Sequence, residues 1–263
     1  MTAQTAPTTK PLDVRLYTRG DDAGSSKSAN RAIRRTVEAG IIRNVSLMAP
    51  THCIDDAATV LGDMKGCSFG MHFTLTCEYA NVRWKPLLPA KQIPTLVLAD
   101  GSLPAHGMIM HEQKADPQQA SAEAAAQLDR LRKLGFRISY VDVHMCFDWL
   151  PGFTEALTAF CAKEGLIYLV RAIKDLPNVP DLPPGASADN LKKRLTAAGK
   201  GSYLCVFHPT LDDEEMRQFA FLAKPGEHTI GRDRFIDTSI ATDQVFAQWC
   251  ADSGVKPTAV GAA

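Results

Sequence analysis

The chain lacks any excess of charge: 29 Lys and Arg residues stand against 29 Asp and Glu in 263 positions. No global field therefore draws it to a nucleic-acid backbone or an anionic membrane, and a polyanionic partner is disfavoured. No run approaches the about 18 apolar residues of a membrane span, and the opening M-T-A-Q-T-A-P-T-T-K-P has no apolar core of signal-peptide type. The seven cysteines, at 53, 67, 77, 146, 161, 205 and 250, form no C-x-x-C pair. An odd set of thiols in a chain too large to need disulfides fits a reducing, cytoplasmic compartment. Residues 1–12 read as a disordered tail, and no solenoid repeat follows.

What remains is ordinary globular material, 45% hydrophobic and 22% charged, of a length that suits one α/β barrel domain over residues 13–263. Strands are expected at 15–20, 45–48, 67–76, 138–143, 167–170 and 203–207. Helices are expected at 25–39, 54–64, 117–134, 153–164 and 188–198. After 209 the chain reads as mainly helical, interrupted near Lys224-Pro225-Gly226. This alternation argues for parallel strands in a closed or partly closed barrel. Periodicity vanishes around 77–116, where Pro86, Pro89, Pro94 and Pro104 break any element, so an irregular insertion or lid is expected there. A proline-rich loop is expected at 176–184.

The chemistry gathers at strand ends. Asp21 and Asp22 follow the first strand in D-D-A-G, His72 lies near the end of the third, and His144 and His208 end later ones. The other histidines, at 52, 106, 111 and 228, fall in loops or at element edges. In a barrel the C-terminal strand ends build the site, so residues far apart in sequence would converge. One carboxylate with two imidazoles suits a divalent first-row metal with positions left for water and substrate. The remaining carboxylate and imidazole would serve as base and acid.

In order, D-D-A-G, N-V-S-L-M, G-M-H-F-T-L-T, V-D-V-H-M and F-H-P-T resemble the YdjC-like carbohydrate deacetylases, the group with chitooligosaccharide and hopanoid deacetylases, from residue 14 onward. The resemblance implies a distorted (β/α) barrel of the polysaccharide-deacetylase type and metal-dependent removal of an N-acetyl group from a small carbohydrate. It implies Asp22, His72 and His144 as ligands of one divalent metal, magnesium or zinc before manganese or cobalt. Asp21 would be the base that activates water and His208 the acid. The chain departs from the family at Ala23, where Phe is usual, and at Met145-Cys146, where histidines are common.

Asp142, two residues before His144 on the same strand face, would orient an imidazole. Arg83, Trp84 and Arg171 are candidate sugar contacts, with packing an equal reading for Trp84. Cys146 reads as a buried thiol. A barrel aldolase or isomerase using the same ligands, and a sugar-binding barrel without turnover, are the competing functions; no Lys at a strand end supports Schiff-base chemistry. A homodimer is allowed.

Overall fold

The computed structural model describes residues 11–180, 182 and 186–261. The tail expected at 1–12 lies outside them up to residue 10, as do 181 and 183–185 of the proline-rich loop. Leu12 is already tied down, its N–H donating to the Ser253 carbonyl at 2.8 Å.

The elements run β1 (Val14–Ala23), α1 (Lys27–Glu38), β2 (Asn44–Leu47), α2 (Ile54–Leu61), β3 (Ser68–Phe73), α3 (Gly107–Glu112) and α4 (Pro117–Lys133). They continue with β4 (Ile138–Val143), α5 (Phe153–Glu164), β5 (Ile167–Tyr168), α6 (Leu169–Ala172), α7 (Ala188–Ala198) and β6 (Gly201–Phe207). The chain closes with α8 (Ile230–Ala241), α9 (Gln244–Ser253) and β7 (Val255–Pro257). The strands form one sheet in the order β5-β4-β3-β2-β1-β6, with β7 also on β1, and every named pair is parallel. The sheet curls into a half-barrel wrapped by helices. One rung joins Asp175 to Leu204 of β6 beyond the short β5. Among the described residues no helix is long and apolar enough to cross a membrane.

Local chemistry places the elements. Ser26 caps α1 by accepting from the Ala29 N–H at 2.9 Å. Asp116 caps α4 at the Gln118 N–H, with Pro117 at the first turn, where a missing N–H costs nothing. Gly135 ends that helix at a φ of 91°, a conformation only glycine adopts freely. Apolar faces of α1 (Ile33, Val37), α4 (Ala124, Leu128, Leu131) and α5 (Leu157, Phe160) close on Leu16, Val45, Leu47, Met71 and Val141 of the sheet. Each such side chain contributes roughly 1.5–3 kcal/mol on full burial.

Three expectations need correction. The first strand does not stop at Gly20 but runs to Ala23, with an irregular register between Gly20 and Ala23. The fifth strand is two residues long and turns directly into α6, so Arg171 lies in a helix and not at a strand end. The stretch expected to be irregular holds a 3-10 turn at Ala90–Gln92 and the helix α3, and α4 pins it to the barrel. Buried Glu123 accepts the N–H groups of Leu87 and Leu88 at 2.9 Å each, and Gln127 bonds both the N–H and the carbonyl of Thr74. A proline-rich segment leaves its amides unpaired unless side chains supply partners, and α4 supplies them.

Gly70 of β3 lies opposite Tyr140 of β4, and a Cβ there would come within 2.1 Å of the Tyr140 ring. The bare backbone lets the ring lie across the strand so that its hydroxyl meets Ser46 Oγ at 3.0 Å. Gly70→Ala should therefore cost roughly 1–3 kcal/mol by overpacking, read as a lower urea midpoint with unchanged m-value. An unaltered midpoint would mean that the ring is free to move.

Candidate metal and catalytic site

At the end of β1 the backbone of Asp22 adopts a left-handed conformation, φ 64°. In a regular strand neighbouring side chains diverge, and the left-handed residue breaks that alternation. Both acids thereby approach His72 Nε2, Asp21 Oδ2 at 4.0 Å and Asp22 Oδ1 at 3.3 Å. His72 belongs to β3, in register with Asp142 of β4, and His144 starts the turn His144–Trp149 that follows β4. All five side chains are buried.

The tautomers follow from the outer partners. His72 Nδ1–H donates to Asp142 Oδ1, which leaves Nε2 facing inward. His144 Nε2–H donates to Glu78 Oε2 at 3.0 Å, which leaves Nδ1 facing inward. Asp142 is itself held by the Ser46 hydroxyl at 2.6 Å and by Arg19 Nε at 3.1 Å. Arg19 grips Asp21 through two bonds of 2.6 and 2.7 Å, and Arg234 of α8 donates to Asp22 Oδ2 at 2.5 Å.

Asp22 Oδ1, His72 Nε2 and His144 Nδ1 thus face one another at 3.3 Å on each side of a triangle. Its centre lies about 1.9 Å from every corner, close to the length of a zinc–nitrogen or zinc–oxygen bond. Oδ1 is buried and receives no hydrogen bond of acceptable geometry. A carboxylate oxygen and two imidazole nitrogens, each steadied from behind, fit a divalent cation. A second group, Asp21, His72 and Asp142, also clusters, but there the Arg19 guanidinium already sits between the two carboxylates.

Charge explains the cluster. Burial would raise Asp22, yet Arg234 and the two imidazoles outweigh it and hold the acid well below the usual carboxylate range. Burial alone would also deprotonate His72, but Asp142 and Asp21 overcome it and push His72 well above the usual imidazole value. His144 is likewise raised against its burial, to about 9, by Glu78 and Asp22. Asp21, Asp22, Glu78 and Asp142 share the site with Arg19 and Arg234, so further positive charge is demanded there. Imidazolium protons meet that demand in one way and a dication meets it in another.

His208 follows β6 directly, where Phe207 is in register with Gly20 of β1, so it stands beside the Asp pair. Its N–H donates to Asp237 Oδ2 at 2.7 Å. Burial and the nearby Arg234 lower its pKa, while burial raises that of Asp237.

The residues expected to touch sugar lie elsewhere. Trp84 has no exposed surface; it packs edge-on to Tyr79 at 5.6 Å between ring centroids and lies 6.0 Å from the His144 ring. Its apolar cluster with Met48, Cys77, Leu103, Met216, Phe219 and Ile230 walls the site from behind. Arg83 is spent on the Cys77 and Leu103 carbonyls and Ser102 Oγ, closing the insertion on itself. Arg171 points outward to Thr154 Oγ1 at 2.9 Å. Cys146 is exposed, not buried; partial burial and then Asp148 raise its thiol, which disfavours the nucleophilic thiolate. The exposed aromatic nearest in sequence to a candidate ligand is Trp149, 52% exposed at the end of the His144 turn.

Sequence reasoning missed Arg19, Glu78, Arg234 and Asp237. Arg19 was legible, because it shares a strand face with Asp21 two residues on. Glu78 carries no local signal, and Arg234 and Asp237 lie on a helix whose alignment with the site only the fold decides.

The YdjC-like protein family model matches residues 15–252. The chain belongs to the YdjC-like family. Over 225 residues it is 26% identical to a chitooligosaccharide deacetylase of Escherichia fergusonii, covering 78% of this chain and 85% of that one. It is 29% identical over 125 residues to a carbohydrate deacetylase of Geobacillus stearothermophilus, a match that spans 47% of this chain and about half of that protein, 46%. In fold it resembles the crystal structure of a candidate cellobiose-phosphate cleavage protein of Enterococcus faecalis V583. There the TM-score is 0.77 at 17% identity, over 94% of this chain and 98% of the other.

Metal binding must displace one proton from each raised imidazole, since His72 keeps its Nδ1–H and His144 its Nε2–H. Calorimetry of zinc binding near neutral pH, repeated in buffers of different ionisation enthalpy, should report release of about two protons, with affinity weakening as pH falls. Binding without proton release would contradict the assigned donors.

Proposed function

We propose that this protein is a metal-dependent carbohydrate deacetylase, an amidohydrolase that releases acetate from an N-acetylated amino sugar or short chitooligosaccharide. The observation that carries the proposal is the triangle of Asp22 Oδ1, His72 Nε2 and His144 Nδ1, together with a second acid, Asp21, beside it. The names of the relatives support the same substrate class.

Asp22, His72 and His144 would hold the cation, and two imidazoles with one carboxylate favour zinc over magnesium by donor type. Bound there, it would polarise the acetyl carbonyl and make water more acidic. Asp21 would accept the proton of the attacking water; its double bond to Arg19 fixes where that carboxylate points. His208, just past the end of the neighbouring strand β6, would deliver a proton to the departing amine nitrogen, which must leave as a neutral amine. A lowered pKa makes its imidazolium a ready donor. The Trp84 cluster excludes water from behind His144. Trp149, whose ring is half exposed and lies close over Gly107 of α3, where a side chain would crowd it, would offer an apolar face to the sugar.

A barrel aldolase or isomerase would use the same ligands, but among the described residues no lysine joins the buried polar groups of the site. A binding protein without turnover would retain the metal and release no acetate.

The test separates the two acids. Asp21→Asn should retain stoichiometric metal by elemental analysis and lose about 10²–10⁴-fold in acetate release from N-acetylglucosamine oligomers, the usual worth of a general base. Asp22→Asn should weaken metal binding itself. If Asp21→Asn empties the site while Asp22→Asn stays metallated but slow, the two roles are exchanged.

A further inference from the structure

Asp22 presents two chemically different oxygens. Oδ1 faces His72 Nε2 and His144 Nδ1 at 3.3 Å each and has no partner besides them. Oδ2 is bound by Arg234 Nη1 at 2.5 Å, in an ion pair whose side chains are 2% and 17% exposed. Arg234 reaches Asp22 from α8, one turn before Asp237, which holds the backbone of His208. Asp22 is also strained: a left-handed non-glycine residue costs of order 1–3 kcal/mol and persists only where its surroundings fix it. The Ser25 N–H donates to its carbonyl at 3.0 Å, and the Arg234 guanidinium meets its side chain from another element.

A positive group on a metal-binding carboxylate would ordinarily weaken the site by competing for the anion. It is tolerable if it holds the oxygen that the metal is not meant to have. An isolated carboxylate can chelate through both oxygens, which fills one more coordination position. Hydrolysis of an amide needs open positions for a water and for the substrate oxygen.

We infer that Arg234 is a positioning residue that keeps Asp22 a one-oxygen ligand and thereby keeps a coordination position free for the reaction. The inference rests on the metal site put forward under the proposed function, but its readouts do not require turnover. In a zinc-soaked crystal of the wild-type protein, Oδ1 is expected on the metal and Oδ2 still on Arg234; both oxygens on the zinc would overturn the inference.

Arg234→Met removes the guanidinium at similar length. This variant is expected to bind cobalt(II) at least as tightly as wild type in chelator competition, with weaker visible absorption as the coordination number rises. Acetate release should fall about 10–100-fold, mainly in kcat. Arg234→Lys, which restores one donor and the charge, should return the wild-type cobalt spectrum and part of kcat. Metal affinity lost together with activity in Arg234→Met would instead make Arg234 a simple support for binding, and an unchanged spectrum and rate would leave it no role in coordination; either result overturns the inference. If wild type releases no acetate from any oligomer, the deacetylase proposal fails, while the crystal and the cobalt spectra still decide the coordination of Asp22. Should Arg234→Met not fold, the wild-type zinc crystal carries the decision.

Discussion

Four carboxylates buried at the C-terminal end of one parallel sheet cannot share that space without positive charge among them. Each isolated buried carboxylate costs several kcal/mol even after the surroundings relax. Arg19 answers Asp21 and Asp142, Arg234 answers Asp22, and the imidazoles of His72 and His144 stand between the acids and take up what charge remains. The donor triangle is the place where this balance is left open to a cation.

The barrel exists to bring those charges together from distant stretches. β1 supplies Arg19, Asp21 and Asp22, β3 supplies His72, and β4 supplies Asp142 and then His144, all at the same edge because parallel strands end on the same side. Ser46 of β2, between β1 and β3, reaches Asp142 and Tyr140 under the site. The insertion contributes Glu78 and a wall of aromatic rings behind His144, and α8 contributes Arg234 and Asp237. Every inward donor thus has an outward partner on another element, so the geometry is set by several contacts at once and not by the rotamer of one side chain.

Of the two departures from the family pattern, Ala23 is buried in the core at the end of β1, while the Met145-Cys146 turn faces solvent. Met145 and Cys146 are both exposed and both left-handed, whereas the three donors and their partners lie beneath them. The altered turn therefore leaves the buried set of donors and partners in place.

The sequence by itself determined the strand-and-helix alternation and the placement of Asp21, Asp22, His72, His144 and His208 at strand ends, because hydrophobic period and capping residues act over a few positions. It pointed to Asp142 as a partner for an imidazole from its place two residues before His144; that the imidazole is His72, in register with it across β3 and β4, only the sheet decides. It did not determine that Trp84 would be buried or Arg83 committed elsewhere, since both depend on how an insertion without periodicity folds back on the barrel; nor that Arg171 would lie on α6 or Cys146 be exposed in the turn after β4, which the packing of those turns decides. The left-handed turn at Asp22 was equally hidden, as was its ion pair with Arg234, 212 positions away. Only tertiary structure decides such contacts: local pattern fixes which face a residue occupies, and long-range packing fixes which opposite charge meets it there.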